Sequence, residues 1–286
     1  MKYLIHIILL ISMSFSIDVL SIQLPENVKS LSYNGYSIAS KDNYAINPSS
    51  LSQSKDSCFE FSSNQWLFDV KGSYFGYIDK NLMLSSYYWE VDDIEFYEDT
   101  PSSSPLYTFG SKTYFLGLSQ GFEFGYHHFG YSAKYSYMKL LEYENKGFVL
   151  DLGYRYDFSS FSSIAVLINN INTGFKDQDQ LPQIATVGAT QKIKNIPITL
   201  SFDAFFEYKE SDYEHEKGSG LYQSILYDNH YFSFIASHCY YLESKERDFA
   251  FGVNFSWKDL GFSISTILKE ETSVGNPIFY QLSYYF

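Results

Sequence analysis

After its opening stretch the chain has no apolar run of about 18 residues, so no segment reads as a membrane-crossing helix. It has two cysteines, Cys58 and Cys239, which no sequence pattern pairs, and they read as separate packing residues. Positive charge is scarce. Twenty Lys and Arg stand against 33 Asp and Glu, a formal net charge of -13, which argues against a nucleic-acid partner. No serine sits in a Gly-x-Ser-x-Gly elbow, no phosphate loop occurs, and no Cys/His spacing suits zinc. The histidines add little. His6 falls in the opening stretch, His127 and His128 would point to opposite faces of a strand, and His215 lies in an acidic loop. The expectation is a protein that is not an enzyme and holds no metal and no cofactor.

What is abundant is aromatic: 28 Tyr and 26 Phe against three Trp, a composition that favours pleated surfaces over helices. The opening "MKYLIHIILLISMSFSIDVLS" has a basic start, a short apolar core and a small-x-small step, the features of a secretory signal peptide, here placed at residues 1–21. Residues 22–56 are polar and without period. From residue 57 to 286 alternation takes over. In "RDFAFGVNFSW" Phe249, Phe251, Val253, Phe255 and Trp257 share one face; in "ITLSFDAFFEY" Leu200, Phe202, Ala204, Phe206 and Tyr208 do. Fourteen strands are expected, near 57–64, 66–78, 82–91, 112–122, 130–140, 147–156, 161–169, 183–192, 197–208, 219–227, 230–240, 247–257, 260–269 and 277–286.

The connections alternate in length. "DKN", "DFSS", "DN" and "KD" are short; "DDIEFYEDTPSSSPLYTFGS", "NINTGFKDQDQLP" and "KESDYEHEKGSG" are long, with "LEYENK" a shorter member of the long set. Short turns on one rim and long loops on the other describe a transmembrane antiparallel β-barrel. The fold class expected is therefore all-β, a barrel of about 14 strands, with the regular apolar face toward lipid and the small or polar face toward a lumen. Charged lumen candidates are Asp69, Lys71, Glu123, Lys134, Asp151, Arg155, Asp203 and Glu207; both signs occur, which fits a hydrogen-bonded plug as well as an open channel. The acidic run at residues 90–99 reads as a solvated loop. The ending "NPIFYQLSYYF" puts Ile278, Tyr280, Leu282, Tyr284 and Phe286 on one face, like the C-terminal signal that barrel-assembly machinery reads.

The segment "SYNGYSIASKDNYAINPSSLSQS", with Asp42 and then Asn47, Pro48 and Leu51, resembles the N-terminal segment of the PorV/PorQ family and of the wider FadL-like barrels. "FVLDLGYRY…SSIAVLINNI" and "LPQIATVGATQKIKNIPITLSFDA" are similar to later strands of that family, in order along most of the chain. Ser49 departs from its usual Ala after the proline. The resemblance implies an outer-membrane barrel whose Asn47-Pro48-Leu51 motif plugs or latches the lumen; spacing alone would make Asn47-Pro48 a turn at a boundary. The PorV/PorQ branch implies docking of secreted cargo or of type IX secretion components. The alternatives are a FadL-like transporter of hydrophobic small molecules, with a lumen lined by residues such as Phe205, Leu167 and Ile235, or a purely structural surface barrel.

Overall fold

A computed structural model describes residues 25–54, 57–66, 70–97, 105–175, 181–209, 218–229, 231–269 and 276–286. The expected signal peptide, residues 1–21, and Asp69 lie outside them. The described strands are β1 (Cys58–Gln65), β2 (Lys71–Asp79), β3 (Leu82–Phe96), β4 (Tyr107–Phe124), β5 (His127–Leu140), β6 (Tyr143–Asp157), β7 (Ser162–Thr173), β8 (Gln183–Lys192), β9 (Ile198–Lys209), β10 (Gly220–Asn229), β11 (Phe232–Tyr241), β12 (Arg247–Trp257), β13 (Leu260–Lys269) and β14 (Ile278–Tyr285). Each pairs antiparallel with its sequence neighbour, and β1 pairs with β14 from Cys58↔Tyr285 to Gln65↔Ile278, closing a barrel of 14 strands. Closure leaves no unpaired edge, which is what a sheet needs in hydrocarbon.

Period two decides which side of the wall each residue takes. On β9, Ser201, Asp203 and Phe205 are buried inside while Leu200, Phe202 and Phe206 are exposed outside. On β14, Tyr280, Leu282, Tyr284 and Phe286 are exposed and Phe279, Gln281 and Ser283 are buried. An exposed apolar surface that runs round the barrel is a surface for lipid. Near the short-turn rim it ends in Phe124, Tyr126, Phe158, Tyr231 and Trp257, the last 68% exposed.

Two connections differ from expectation. The acidic run after β3 is not all loop, because a bulge between Val91 and Ile94, with Asp93 at φ 58°, lets β3 and β4 continue pairing to Phe96↔Tyr107. The rings of Phe96 and Tyr107 stack there at 4.8 Å. The "LEYENK" loop is a two-residue turn at 141–142, with Leu141 at φ 55°, because β6 begins at Tyr143. The break near residues 62–66 falls later, after Gln65.

Candidate functional site in the barrel lumen

Residues 25–54 lie inside the barrel. They begin with a single helical turn, α1 (Val28–Ser32), capped reciprocally: Ser30 N donates to Asn27 Oδ1 at 2.9 Å and Asn27 N to Ser30 Oγ at 3.0 Å. Serine hydroxyls of the wall reach its carbonyls, from Ser265 to Val28 O at 3.0 Å and from Ser237 to Ser32 O at 2.9 Å. The chain then crosses the lumen. Tyr36 stacks on Phe205 at 4.3 Å, and the backbone N–H groups of Ser37 and Ile38 both donate to Asp203 Oδ2, at 2.5 and 3.0 Å. Ile38 and Ala39 pack on Ala165 and Leu167. The residues named as lining an open apolar lumen thus face inward as expected, with Phe205 and Leu167 packed against the N-terminal segment.

Asn47 and Pro48 start a 3-10 helix (Pro48–Gln53). Asn47 Oδ1 accepts from Ser49 N at 3.0 Å and from Ser49 Oγ at 2.8 Å, while its Nδ2 donates to Ile38 O at 2.8 Å. One side chain therefore caps the helix and ties it to the crossing segment. The helix sits in a groove without side chains. Gly121, Gly130 and Gly153 are direct partners across β4, β5 and β6. A Cβ on each would collide in turn with Ser52 N, with the Pro48 carbonyl carbon and Ser49 N, and with Asn47 Oδ1. Leu51 is buried with Cys58, Ile78 and Met83.

Charge fastens this helix at the short-turn end. Arg155 donates from Nε to Asp157 Oδ1 at 3.1 Å, from Nη1 to Ser50 Oγ at 3.1 Å and from Nη2 to Gln53 Oε1 at 2.7 Å. Asp157 also pairs with Lys41 at 2.9 Å and accepts from Gln53 Nε2 at 3.1 Å; His128 Nδ1 lies 2.8 Å from Ser52 Oγ. Deeper in, Lys134 bridges Glu26 at 2.5 Å and Asp151 at 3.2 Å, and Tyr44 donates to Glu60 at 2.5 Å. Lys29 and Asp42 pair at 2.9 Å within the segment itself. Burial would raise the Asp42 carboxyl, but the Lys29 ammonium and the Ser40 hydroxyl outweigh it and hold it below the usual carboxylate value. Burial would likewise lower Lys29, and Asp42 outweighs it, leaving the ammonium raised.

Of the expected lumen charges, Asp151, Arg155 and Asp203 are buried inside and Lys134 is half-buried there. Glu207 is half-buried on the lumen face of β9, and Glu123 is on the lumen face of β4 but exposed at the rim. Lys71 is a correction: Tyr74 and Ile78 of β2 are buried, so Lys71, three residues before Tyr74, faces out. The sequence reading missed Glu26, Glu60, His128, Asp157 and the glycine row. The row had a signal, since Gly121 and Gly130 are equidistant from the turn at 125–126, and Gly130 and Gly153 from that at 141–142.

Beyond α1, toward the long-loop end, the lumen is apolar and aromatic. Trp89 packs on Phe279 at 5.9 Å, Tyr87 stacks on Phe115 at 4.3 Å, and Met138, Val149 and Phe175 complete the cluster. Among the described residues no group of three or more His, Cys, Asp or Glu could hold a metal ion.

This architecture matches solved structures. The fold is FadL-like. The Ralstonia pickettii toluene transporter TbuX aligns with TM-score 0.59 at 13% identity, covering 91% of this chain and 97% of that one. The Pseudomonas putida toluene transporter TodX aligns with TM-score 0.61 at 12% identity, covering 92% and 99%. The Acinetobacter baumannii outer membrane protein Omp33 aligns with TM-score 0.50 at 11% identity, covering 81% and 98%. No protein-family model matches the chain, and no curated protein does. In this FadL-like barrel, then, the Asn47-Pro48 step is the start of a helix seated in the wall rather than a free boundary turn.

Proposed function

We propose that the protein is an outer-membrane barrel that admits small hydrophobic molecules from the long-loop side, with residues 25–54 as its stopper and residues 1–21 as its export signal. The observation that carries this reading is the division of the lumen. An aromatic cluster around Trp89, Phe115 and Phe279 occupies the outer half, and a polar plug held by Arg155, Asp203 and Lys134 occupies the inner half. An apolar cluster of this kind gives an apolar guest a place to leave water. The plug keeps ions and water-soluble molecules out. Two of the similar structures are named toluene transporters, which supports the same substrate class. Docking of secreted cargo, the PorV/PorQ reading, rests on sequence resemblance alone.

The test is uptake of radiolabelled toluene and of a labelled fatty acid by cells lacking their own hydrophobic transporters. The intact protein is expected to raise uptake of at least one above the empty vector, and Phe279→Arg to abolish the gain while the barrel still folds. Uptake equal to the vector for both probes would sink the proposal.

A further inference from the structure

The outer wall carries a row of charges whose place can be read from strand register. Lys71 of β2, Glu90 of β3, Lys112 of β4, Lys139 of β5 and Glu144 of β6 are successive direct partners, and all point outward. One outward position nearer the short-turn rim, Tyr88, Tyr114 and Tyr137 form a parallel row, with rings 4.7 and 6.4 Å apart, and Lys146 continues it on β6. Below the tyrosines the outward residues of β4 are Leu116, Leu118, Gln120 and Phe122, ending at Phe124, with the Gln120 amide accepting the Tyr131 hydroxyl at 3.2 Å. From Tyr114 to Phe124 along β4 is about 25 Å of membrane normal, from a rise of about 3.3 Å per residue and a tilt of about 40°, the height of an outer-membrane apolar band. The tyrosines thus mark the hydrocarbon boundary on the long-loop side, and the charged row stands just beyond it, among lipid headgroups.

Four lysines face two glutamates there, on a chain whose net charge is -13. Lys112 and Lys139 are directly opposed, an arrangement that like charges destabilise. The glutamates compensate poorly. Glu90 accepts the Tyr88 hydroxyl, and Glu144 reaches Lys139 only at 3.8 Å. Among the described residues Lys112 has no ion pair. An anion between the two ammonium groups would turn their repulsion into attraction on both sides.

We propose that this face of β2–β6 binds a phosphate of an outer-leaflet lipid, held between Lys112 and Lys139 with its acyl chains against Leu116, Tyr135 and Phe148. The site depends on the membrane placement of the barrel and not on what the lumen carries.

The test uses the full chain in detergent micelles with diphosphoryl lipid A as probe, followed by native mass spectrometry. Lys112→Gln/Lys139→Gln is expected to weaken binding roughly thirtyfold, from about fivefold per cation near a charged lipid surface. Lys112→Arg/Lys139→Arg should retain it, and Lys192→Gln/Lys194→Gln, at the opposite rim, should leave it unchanged. All four residues are exposed, so folding is not at stake. Equal binding by the intact chain and the Lys112/Lys139 glutamine variant, or an equal loss in the Lys192/Lys194 control, would overturn the proposal. Equal binding of dephosphorylated lipid A would overturn it too.

Discussion

Gly130 is where a single atom matters most. Its Cα lies against the backbone of Pro48 and Ser49, and backbone cannot swing aside as a side chain can. Gly130→Val should leave the strands paired, since valine suits a strand, but unseat the 3-10 helix at a cost of about 1–3 kcal/mol. The expected readout is trypsin cleavage after Lys41 in the variant and protection in the intact protein. Asp42 gives the pH dependence of the same segment. Its carboxyl is held below its ordinary value, so the stabilisation is complete above about pH 4, the unfolded carboxylate range, and is lost as pH falls through the folded value. Lys29 and Asp42 keep 29% and 48% of their side chains exposed, so the pair contributes less than about 1 kcal/mol. Amide exchange in α1, compared between intact protein and Asp42→Asn, should differ at pH 7 and converge only as the pH falls below the folded value of the Asp42 carboxyl; a constant difference would remove Asp42 from the account.

At the scale of elements, the plug is held from several strands, and at β6 Arg155 latches it through Ser50 and Gln53. Arg155→Met removes three donated hydrogen bonds and leaves Asp157 buried beside fewer cations, a loss of about 3 kcal/mol for a broken buried pair. The barrel reconstituted in a planar bilayer should then conduct in steps, where the intact protein stays closed. Strand positions were legible because alternation is local: β8, β12 and β13 begin and end where the pattern does. The true length of β3 was not, because the bulge at Asp92 and Asp93 interrupts the alternation while pairing continues beyond it. Four of the inward-facing charges stood out as polar residues on otherwise small-residue faces. Their partners Glu26, Ser50 and Gln53 did not, because a segment without period gives no clue to which wall it will touch. Lys71 went astray at the break between β1 and β2, where parity had to be restarted.

At the scale of the whole molecule, closure depends on the β1–β14 seam, which ends with Phe286 N donating to Ser57 O at 3.0 Å and the Phe286 ring 5.2 Å from that of Phe59. Phe286→Ser removes outward apolar surface but no ladder hydrogen bond. If assembly machinery reads this residue, the variant should fold normally from urea into detergent yet fall severalfold in folded amount in cells, scored by heat-modifiable migration on a gel. Equal losses in both settings would make Phe286 a seam residue only. The placement of the three tryptophans has a further use. Trp89, 2% exposed, and Trp66 belong to the aromatic cluster of the outer lumen, whereas Trp257 faces outward at the far rim. Replacing Trp257 with Phe would leave emission from the cluster alone, fed by energy transfer from the surrounding tyrosines. The barrel would then report optically whether its lumen is occupied, with no label attached.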